Sequence, residues 1–585
     1  SIPIVSALAL AAAIGLWIVA LTHLDVATIG KYGLVSALPG AYFGSLVALA
    51  AGFVWAVRRN AAPVVYGALT ATLVAVLHAT PAIEYHALRY AWAWRHVGVV
   101  DLMLRHHALV PNTPVLPIYQ QWPGFFGAAT TFTAAARFPS ALSYAAWAPP
   151  VFAALDALAL VAVFRSFTTD RRRIAIAVWF FVVANWIGQE YFAPQAFDFL
   201  LFLCLLAIVL RNYGSTSRTF RWEPRALRRL ASDHPHERLW VTGPQRRGAA
   251  IACLVLMAAI VVSHPLTPLL ACMALTALVV TGLIDRVWPA VAMVAITVAW
   301  YLTGAWSYTS SNIKSLLSGI GSIDGNVGAN VRDLGTLSAG QQVVATLGRF
   351  VVAAIVGLAC IGLARRLRRR MLDRTAVLLC AVPVGLLVSS NYGGEAVFRA
   401  YLFALPFFAI IAATAFLPGD LSRLSRVATA ALLAACLALV GGFLFAYYGK
   451  ERWAWFAPGE VRAATLVATI APDHSLLVQG TMTAPTQGLH AERFTYVSIV
   501  DEPPTSRHGV LADPVGTLSS WLSQSKYRAG YLLITRSQIA ESEETGLLPP
   551  GTFATLERAV VRSGRFTVLY HDRDALLVTT ARGHR

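Results

Sequence analysis

Long apolar segments separated by short polar linkers occupy the first 448 residues of this 585-residue chain. A helix needs about 20 apolar residues to cross the hydrocarbon core of a bilayer, which is roughly 30 Å thick. This pattern predicts a multispanning α-helical membrane protein with about 13 transmembrane helices. The predicted spans lie at 3–22, 34–57, 61–81, 139–164, 174–189, 195–211, 249–263, 266–284, 287–306, 345–364, 375–390, 400–417 and 427–448.

One apolar run, from Ile174 to Leu210, is too long to be a single span. As one helix it would extend about 55 Å at 1.5 Å per residue, well beyond the thickness of a bilayer core. The polar stretch Gly188–Tyr191 and the following Pro194 are where the run can turn. The sequence therefore predicts a hairpin of two spans with Glu190 in its turn.

The linkers alternate between two kinds, which predicts the orientation of the chain. One kind is rich in arginine, and the loop from Arg211 to Arg247 alone holds nine arginines. Arginine-rich linkers stay on the cytoplasmic side of a membrane. All of them fall on that side if the N-terminus is cytoplasmic, which places Glu190 and the chain beyond Tyr448 at the outer face.

Residues after 448 change in character and predict a small α/β domain outside the membrane. Helical patterns lie at 458–471, 514–526 and 552–563, and strand-like runs at 475–480, 494–500, 530–536 and 566–580. The last run contains a turn at Asp572–Asp574, which is typical of a hairpin. We therefore divide the chain into a transmembrane domain, 1–448, and an extracytoplasmic α/β domain, 449–585. The first contains a long outer loop, 82–138, and a basic cytoplasmic loop, 211–248.

Composition agrees with a membrane protein and argues against other classes. Hydrophobic residues form 57% of the chain and charged residues 13%, and the formal net charge is +18. The arginines lie between apolar spans, so we expect no nucleic-acid partner. All six cysteines lie within predicted spans without CxxC spacing, which argues against a disulfide framework or a structural zinc site. The sequence contains no phosphate-binding Gly-rich motif. The first apolar segment is not preceded by a basic leader, so we interpret this segment as a transmembrane span.

Polar residues on the predicted outer side cluster at the ends of spans. In loop 82–138, apolar and aromatic residues at helical spacing are interleaved with charged ones, which is typical of a helix in the membrane interface. Taken singly, these groups have ordinary interpretations: solvated acids, a packed histidine, and an (i, i+4) salt bridge between Glu395 and Arg399. Ionisable groups at membrane depth are costly and usually face a cavity or a partner, so together they favour one shared site. The candidates are Glu84, Arg95, His96, Asp101, Trp122, Gln189, Glu190, Tyr191, His264, Tyr392, Glu395 and Arg399.

These residue types suit glycosyl transfer from a lipid phosphate. A carboxylate can take the proton of an acceptor hydroxyl, and arginine can hold a phosphate with two parallel hydrogen bonds. Cations also stabilise the phosphate as it departs from an oxocarbenium-like sugar.

The outer motifs resemble those of the GT-C superfamily, whose members are multispanning glycosyltransferases that use polyprenyl-phosphate-linked sugars. The resemblance rests on the long acidic outer loop with RHVGVVD and WPGFF, on NWIGQEYFAPQ, SHPLTP and NYGGEAVFR, and on the tail that opens with FAPGEVRAATLVA. The Ala- and Arg-rich composition also resembles that of actinobacterial proteins, where such enzymes build cell-envelope polysaccharides.

The resemblance assigns roles to the candidate residues. It implies that Glu84 or Asp101 is the catalytic base and that Glu190 orients the acceptor or a metal. Family members often have two adjacent acids, whereas Tyr85 follows Glu84 here, and Asp25 in the loop after the first span leaves the alignment open. The residues implied to bind the donor phosphate are Arg399, His264, Arg95 and His96. Those implied to contact the acceptor or sugar are Tyr191, Gln189, Glu395, Tyr392 and Trp122.

Some members of the superfamily need a divalent cation such as Mg²⁺ or Mn²⁺, but no ligand spacing here is specific for a metal. The sequence thus predicts an inverting glycosyltransferase at the outer face of a bacterial plasma membrane. Its predicted partners are a polyprenyl-phosphate-linked sugar, a glycan or glycolipid acceptor and membrane lipid. The alternatives are a lipid-linked polysaccharide polymerase or ligase and, less favoured, a transporter, since no duplicated halves or broken midplane helices are evident.

Overall fold

The computed structural model describes residues 4–110, 113, 117–215, 219–231, 243–318, 334–389, 395–419 and 422–580. The N-terminal part is helical and the C-terminal part contains a β-sheet. The helices up to residue 448 are α1 (Ile4–His23), α2 (Gly40–Arg59), α3 (Pro63–Glu84), α4 (Ala91–His106), α5 (Gly124–Ala135), α6 (Ala148–Phe164), α7 (Arg171–Ala184), α8 (Pro194–Tyr213), α9 (Gly243–Ser263), α10 (Thr267–Val280), α11 (Trp288–Leu302), α12 (Trp306–Ser318), α13 (Ala339–Arg368), α14 (Arg374–Ala381), α15 (Ala396–Ala413) and α16 (Arg426–Tyr448).

The prediction of a multispanning helical membrane protein is confirmed. Within the described residues, eight helices are long and apolar enough to cross a membrane, and α11 with α12 forms a ninth if this pair, bent by 81°, is one span. Shorter apolar helices lie at Ala148–Phe164, Thr267–Val280 and Arg374–Gly385. Each of the thirteen predicted segments contains a helix.

Proline accounts for two predicted bounds that were wrong. The segment 139–164 was expected to be one span, but its long helix begins only at Ala148, directly before Pro149 and Pro150. Proline has no backbone N–H and is accommodated in the first turn of a helix. Two prolines in succession therefore mark the start of a helix. Likewise α2 begins only after Pro39, although its span was predicted to start at residue 34.

Helix α3 contains a π-helical turn at Ala75–Ala79 just before Pro81. Pro81 cannot donate a hydrogen bond to the carbonyl group of Leu77, and the hydroxyl of Tyr448 on α16 donates to that carbonyl instead. The turn places His78 in the interior, with 2% of its surface exposed. π-Turns of this kind are frequent at functional sites.

The linkers gather at the two ends of the bundle as their composition predicts. Arginine-rich linkers contact one another: Arg171 Nε donates to Asn60 Oδ1 at 2.9 Å, and Arg374 Nε donates to Glu223 Oε1 at 2.6 Å. At the other end, the Tyr90 N–H donates to the Ala454 carbonyl group at 2.9 Å. The turn that carries Glu190 lies at this second end, because Gly188 in that turn packs against Tyr90.

The chain after α16 forms a five-stranded sheet of order β2-β1-β3-β5-β4. The strands are β1 (Ser475–Gln479), β2 (Phe494–Ser498), β3 (Gly530–Thr535), β4 (Phe566–His571) and β5 (Ala575–Thr580). β1 pairs in parallel with β2 and β3, while β5 pairs antiparallel with β3 and β4, so the predicted C-terminal hairpin is confirmed. The surrounding helices are α17 (Pro458–Ile470), α18 (Pro504–Ala512), α19 (Pro514–Leu522), α20 (Arg536–Thr545) and α21 (Thr552–Arg562).

Polar contacts attach this C-terminal region to the helical bundle. Arg536, at the start of α20, donates to the carbonyl groups of Arg452 and Trp455 at 2.8 and 2.7 Å. Arg105, in the last turn of α4, forms an ion pair with Glu492 at 2.7 Å. The first contact is with the short helix Glu451–Ala454 that follows α16, so the C-terminal region holds the segment that leaves the bundle.

Candidate active site

The site is built around the turn between α7 and α8. α7 ends at Ala184 and α8 begins at Pro194, as the hairpin prediction requires. Gly188 in this turn has φ +73°, a conformation that glycine adopts without strain, and a Cβ there would lie 3.3 Å from the Tyr90 hydroxyl. The turn brings Glu190 inward until only 4% of its surface is exposed.

Among the described residues, only the Oε1 atom of the Glu190 carboxylate has a hydrogen-bond partner. The Tyr447 hydroxyl donates a hydrogen bond to its Oε1 atom. His78 Nδ1 lies 3.5 Å from the same oxygen and 3.1 Å from the Tyr447 hydroxyl. Among the described residues, Glu190 Oε2 is buried and has no hydrogen-bond partner.

The Glu190 carboxyl group is ionised at neutral pH. Burial raises the pKa of Glu190, but His78 and the hydrogen bond from the Tyr447 hydroxyl outweigh it, so the net pKa is below the ordinary value. An ionised carboxylate with one oxygen held and the other unbonded can accept a proton or a hydrogen bond.

Arg89 lies beside this carboxylate. Its Nη2 atom is 3.0 Å from Glu451 Oε1, and its guanidinium group stacks over the rings of Tyr90 and Tyr447 at 4.2 and 4.8 Å. Arg89 is only 6% exposed, and its Nε and Nη1 atoms have no hydrogen-bond partner among the described residues. Buried N–H groups of this kind are normally bonded, so this guanidinium has unused hydrogen-bonding capacity.

A cleft of about 330 Å³, counting the part that opens to solvent, adjoins these groups. Its walls come from four parts of the chain: the end of α3, the loop that follows it, the residues around the start of α6, and the turn between α7 and α8. Its lining includes His78, Pro81, Leu88, Arg89, Pro149 and Tyr191. Arg89, which has unbonded donors, therefore lines this cleft.

Aromatic side chains form a further wall. His96 stacks on Tyr191 with the ring planes 3° apart, and its two nitrogens hydrogen-bond to the Phe192 carbonyl group at 2.8 Å and the Tyr119 hydroxyl at 3.0 Å. Burial lowers the pKa of His96 to about 3, so the ring is neutral. Gln195, one turn into α8, donates to both the Tyr191 hydroxyl at 2.7 Å and Gln189 Oε1 at 3.2 Å.

Arg399 and Glu395 lie close enough to Tyr191 to interact with it electrostatically, and His264 lies near Arg399. Burial raises the pKa of Tyr191, and the charges of Glu395 and Arg399 also act on its hydroxyl. Arg399 Nη2 bonds Glu395 Oε2 at 2.7 Å, so the predicted (i, i+4) pair is present. Arg399 Nε is buried without a described partner. Burial holds the pKa of His264 well below its usual range, and Arg399 lowers it further.

An apolar cleft of about 200 Å³ lies farther along α15. Phe403 and Phe407 line it, together with Phe202, Leu270, Leu379 and Pro383. Arg399, Phe403 and Phe407 are spaced four residues apart and so share one face of the helix. A cation thus lies at one end of an apolar surface.

Several predicted site residues lie apart from Glu190. Asp101 accepts hydrogen bonds from Ser140 Oγ at 2.6 Å and the Ala141 N–H at 3.2 Å, which is how a structural carboxylate caps a turn. Arg95 contacts Gln487 of the C-terminal region. Trp122 is buried against Tyr301 and Tyr308. Glu84 is half-buried at the end of α3, where Pro81 lines the cleft, and Tyr392 lies outside the described residues.

No group of three or more His, Cys, Asp or Glu side chains that could hold a metal ion is present in the described part of the chain. The residues around Glu190 therefore do not fit a metal centre made by protein ligands alone. The chemistry below uses only side chains of this chain.

Sequence reasoning missed four residues of the Glu190 cluster: His78, Arg89, Tyr447 and Glu451. A histidine within an apolar span is a signal that we did not use, because ionisable groups in spans are usually functional. Asp156 in α6 is a similar case, and its carboxyl group is close enough to interact electrostatically with Glu190. No local signal marks Tyr447, which lies 257 residues after Glu190.

No protein-family model matches the sequence, and no curated protein matches it. Solved structures do have a similar fold. ArnT from Cupriavidus metallidurans, solved with undecaprenyl phosphate bound, is 13% identical with a TM-score of 0.50, over 89% of this chain and 98% of ArnT. The Archaeoglobus fulgidus oligosaccharyltransferase, solved with a tethered acceptor peptide, is 11% identical with a TM-score of 0.50, over 90% of this chain and 72% of its own. The chain therefore has the fold of these two proteins, and the predicted GT-C-like fold is confirmed.

Proposed function

We propose that this protein is an inverting membrane glycosyltransferase. It transfers a sugar from a polyprenyl-phosphate donor to a cell-envelope glycan or glycolipid acceptor at the outer face of a bacterial plasma membrane. The observation that carries the proposal is the buried, ionised Glu190 with one unbonded oxygen, beside a cleft at the end of the bundle opposite the arginine-rich linkers. The fold agrees, because ArnT was solved with undecaprenyl phosphate bound.

In the proposed reaction Glu190 is the general base. An acceptor hydroxyl oxygen attacks the anomeric carbon of the donor sugar, and the hydroxyl proton passes to Glu190 Oε2. The bond between the anomeric carbon and the phosphate oxygen breaks, and polyprenyl phosphate leaves with the electron pair. A single displacement of this kind inverts the anomeric carbon.

Arg399 is the proposed ligand of the donor phosphate. Its unbonded Nε supports this role, as does its position on the same face of α15 as the apolar cleft, which would take the first part of the lipid tail. Glu395 then acts as a partner that the phosphate displaces. His264 and His96 are neutral, so they serve as polar wall groups rather than as cations.

Tyr191 and Gln189, both held by Gln195, are the proposed sugar contacts. Tyr191 borders the cleft and stacks on His96, and aromatic rings bind the apolar faces of sugars. The remaining predicted residues, Glu84, Asp101, Arg95, Trp122 and Tyr392, stay as candidates, with Glu84 at the end of α3 as the rival base.

Sugar transfer in membranes tests the proposal. With a radiolabelled polyprenyl-phosphate sugar, the wild type should transfer label to an endogenous glycan or glycolipid. Glu190→Gln should lose on the order of 10²–10⁴-fold in rate, the usual contribution of a general base. Asp101→Asn should keep most activity, because its carboxyl group caps a turn, and Glu84→Gln should lose less than Glu190→Gln.

Full activity in Glu190→Gln would overturn the assignment, and a loss confined to Glu84→Gln would move the base to Glu84. The size of the labelled product separates transfer of one sugar from transfer of a whole glycan by a polymerase or ligase.

Orientation is tested separately with a membrane-impermeant thiol reagent. Thr505→Cys in the exposed part of α18 should react from outside in intact cells, and Arg229→Cys in the basic loop should react only after permeabilisation. The background should carry Cys360→Ser, since Cys360 is exposed in the native chain. The reverse pattern would invert the proposed topology.

A further inference from the structure

Tyr447 occupies a central place in the Glu190 cluster. It lies in the last turn of α16 and is 2% exposed. Its hydroxyl donates to Glu190 Oε1 and lies 3.1 Å from His78 Nδ1, while the guanidinium group of Arg89 lies over its ring. Phe443, one turn earlier, stacks on the same ring at 4.8 Å between centroids and fixes its plane.

We infer that Tyr447 is a positioning residue for the reaction: by holding Oε1 of Glu190, it orients the carboxylate so that Oε2 faces the acceptor. This inference rests on the proposed function. Tyr447 is assigned no contact with substrate. It holds Oε1, and a carboxylate held at one oxygen presents the other in a defined direction, which is what a general base requires.

The groups that face Glu190 come from four elements. They are His78 of α3, Arg89 of the loop after α3, Asp156 of α6 and Tyr447 of α16. Arg89 and a protonated His78 favour the ionised carboxylate, and an ionised Asp156 opposes it. Tyr447 donates its hydrogen bond to the ionised form, so its loss should make Glu190 easier to protonate.

The C-terminal region fixes the segment that carries Tyr447. Glu451 lies one turn after Tyr447, is fully buried and pairs with Arg89. Arg536 then holds the carbonyl groups of Arg452 and Trp455. The end of α16 therefore contacts both charged groups of the site and is itself held by the sheet region.

Tyr448 provides a matched control. It is the next residue, it is fully buried, and its hydroxyl donates to the Leu77 carbonyl group and contacts the Tyr42 hydroxyl. Tyr448→Phe therefore removes a buried hydroxyl of the same helix turn without touching Glu190. The comparison separates positioning from a general loss of packing.

The experiment measures kcat, KM and the pH dependence of sugar transfer for the full-length wild type, Tyr447→Phe, Tyr448→Phe, Glu190→Gln and the double variant Tyr447→Phe/Glu190→Gln. Tyr447→Phe should lower kcat about tenfold with little change in KM, and should move the acidic limb of the profile up by about one pH unit. Tyr448→Phe should leave the limb unmoved. The double variant should be no slower than Glu190→Gln alone, because both changes act through one carboxylate.

The outcomes separate this inference from the proposed function. An acidic limb that is unmoved in Tyr447→Phe, or that moves equally in Tyr448→Phe, would overturn the positioning role while transfer by the wild type left the proposed function standing. Additive losses in the double variant would also overturn it. A wild type without transfer activity would overturn the proposed function and this inference together.

Discussion

Arg89 and Arg374 are two buried arginines at opposite ends of the bundle, and they use their hydrogen-bond donors differently. Each is nearly inaccessible, at 6% and 2% exposure, and each pairs with a buried glutamate, Glu451 or Glu223. Arg374 has protein acceptors on all three nitrogens: Glu223 and the carbonyl groups of Leu227, Leu230 and Leu372. Arg89 leaves Nε and Nη1 unbonded beside a cleft.

The comparison shows that burial and ion pairing alone do not mark a functional charge. Arg374 satisfies its donors within the chain, so it fastens linkers together. Arg89 has two unbonded nitrogen donors, Nε and Nη1, and it lines the cleft. It also lies beside Glu190, whose Oε2 atom is unbonded. Glu223 also has one unbonded oxygen, so what distinguishes the candidate site is the cleft that Arg89 lines.

Arg374→Gln should have the largest effect, and it should be on stability. Removing one partner of a buried pair leaves Glu223 uncompensated, which typically costs about 3–5 kcal/mol. Thermal unfolding in detergent should detect a lower midpoint, whereas sugar transfer per folded molecule should match the wild type. A folded variant with greatly reduced turnover would contradict the structural role.

Arg89→Gln should have the complementary effect. Turnover per folded molecule should fall roughly a hundredfold, as expected when a charged hydrogen-bond donor leaves a preorganised site. Stability is measured in parallel, because Glu451 also loses its partner. Equal specific activity in Arg89→Gln and Arg374→Gln would erase the distinction between the two arginines.

Arg399→Gln should raise the KM for the polyprenyl-phosphate donor about tenfold or more, in line with the loss of a hydrogen bond to a charged group. Glu395→Gln is the matched variant. It removes the competing carboxylate and leaves the guanidinium group, so it should not raise the KM. Steady-state kinetics over a range of donor concentrations distinguishes the two, and the reverse order would remove Arg399 from the donor site.

The smallest effect concerns pH. In the proposed reaction transfer requires ionised Glu190, so the rate should fall as pH drops through the pKa of Glu190, which lies below the ordinary value near 4.3. The wild-type rate at pH 5 should therefore stay within about twofold of the rate at pH 7. A tenfold fall at pH 5 would mean that the carboxylate has a raised pKa.

The length and spacing of apolar segments in the sequence were enough to predict the helical bundle and the C-terminal hairpin. The turn that carries Glu190 follows from helix length against bilayer thickness, and the C-terminal hairpin follows from alternation around Asp572–Asp574. The late start of α6 was missed because hydrophobicity does not stop at Ala148, although Pro149 and Pro150 force the helix to begin there.

The site was less accessible to sequence reasoning, because its contacts join residues far apart in the chain. Glu190 could be identified as a candidate from its predicted position in a turn at the membrane face. Its partners His78 and Tyr447, however, lie 369 residues from each other in the chain. Asp101 illustrates the opposite problem, since an acid in the expected loop has its oxygens occupied by Ser140 and Ala141. The type and position of a residue suggest which chemistry it could perform. Its hydrogen-bond partners in the folded protein decide whether its side chain is available for that chemistry.

The central claim is that Glu190 and Arg399 serve one donor from two sides. A cryo-EM map of Glu190→Gln with a polyprenyl-phosphate sugar bound tests it most directly. We predict the phosphate at Arg399, the start of the lipid tail along Phe403 and Phe407, and the anomeric carbon turned toward the side chain at position 190. Donor density elsewhere on the bundle, with the cleft beside Arg89 and Tyr191 empty, would contradict the account.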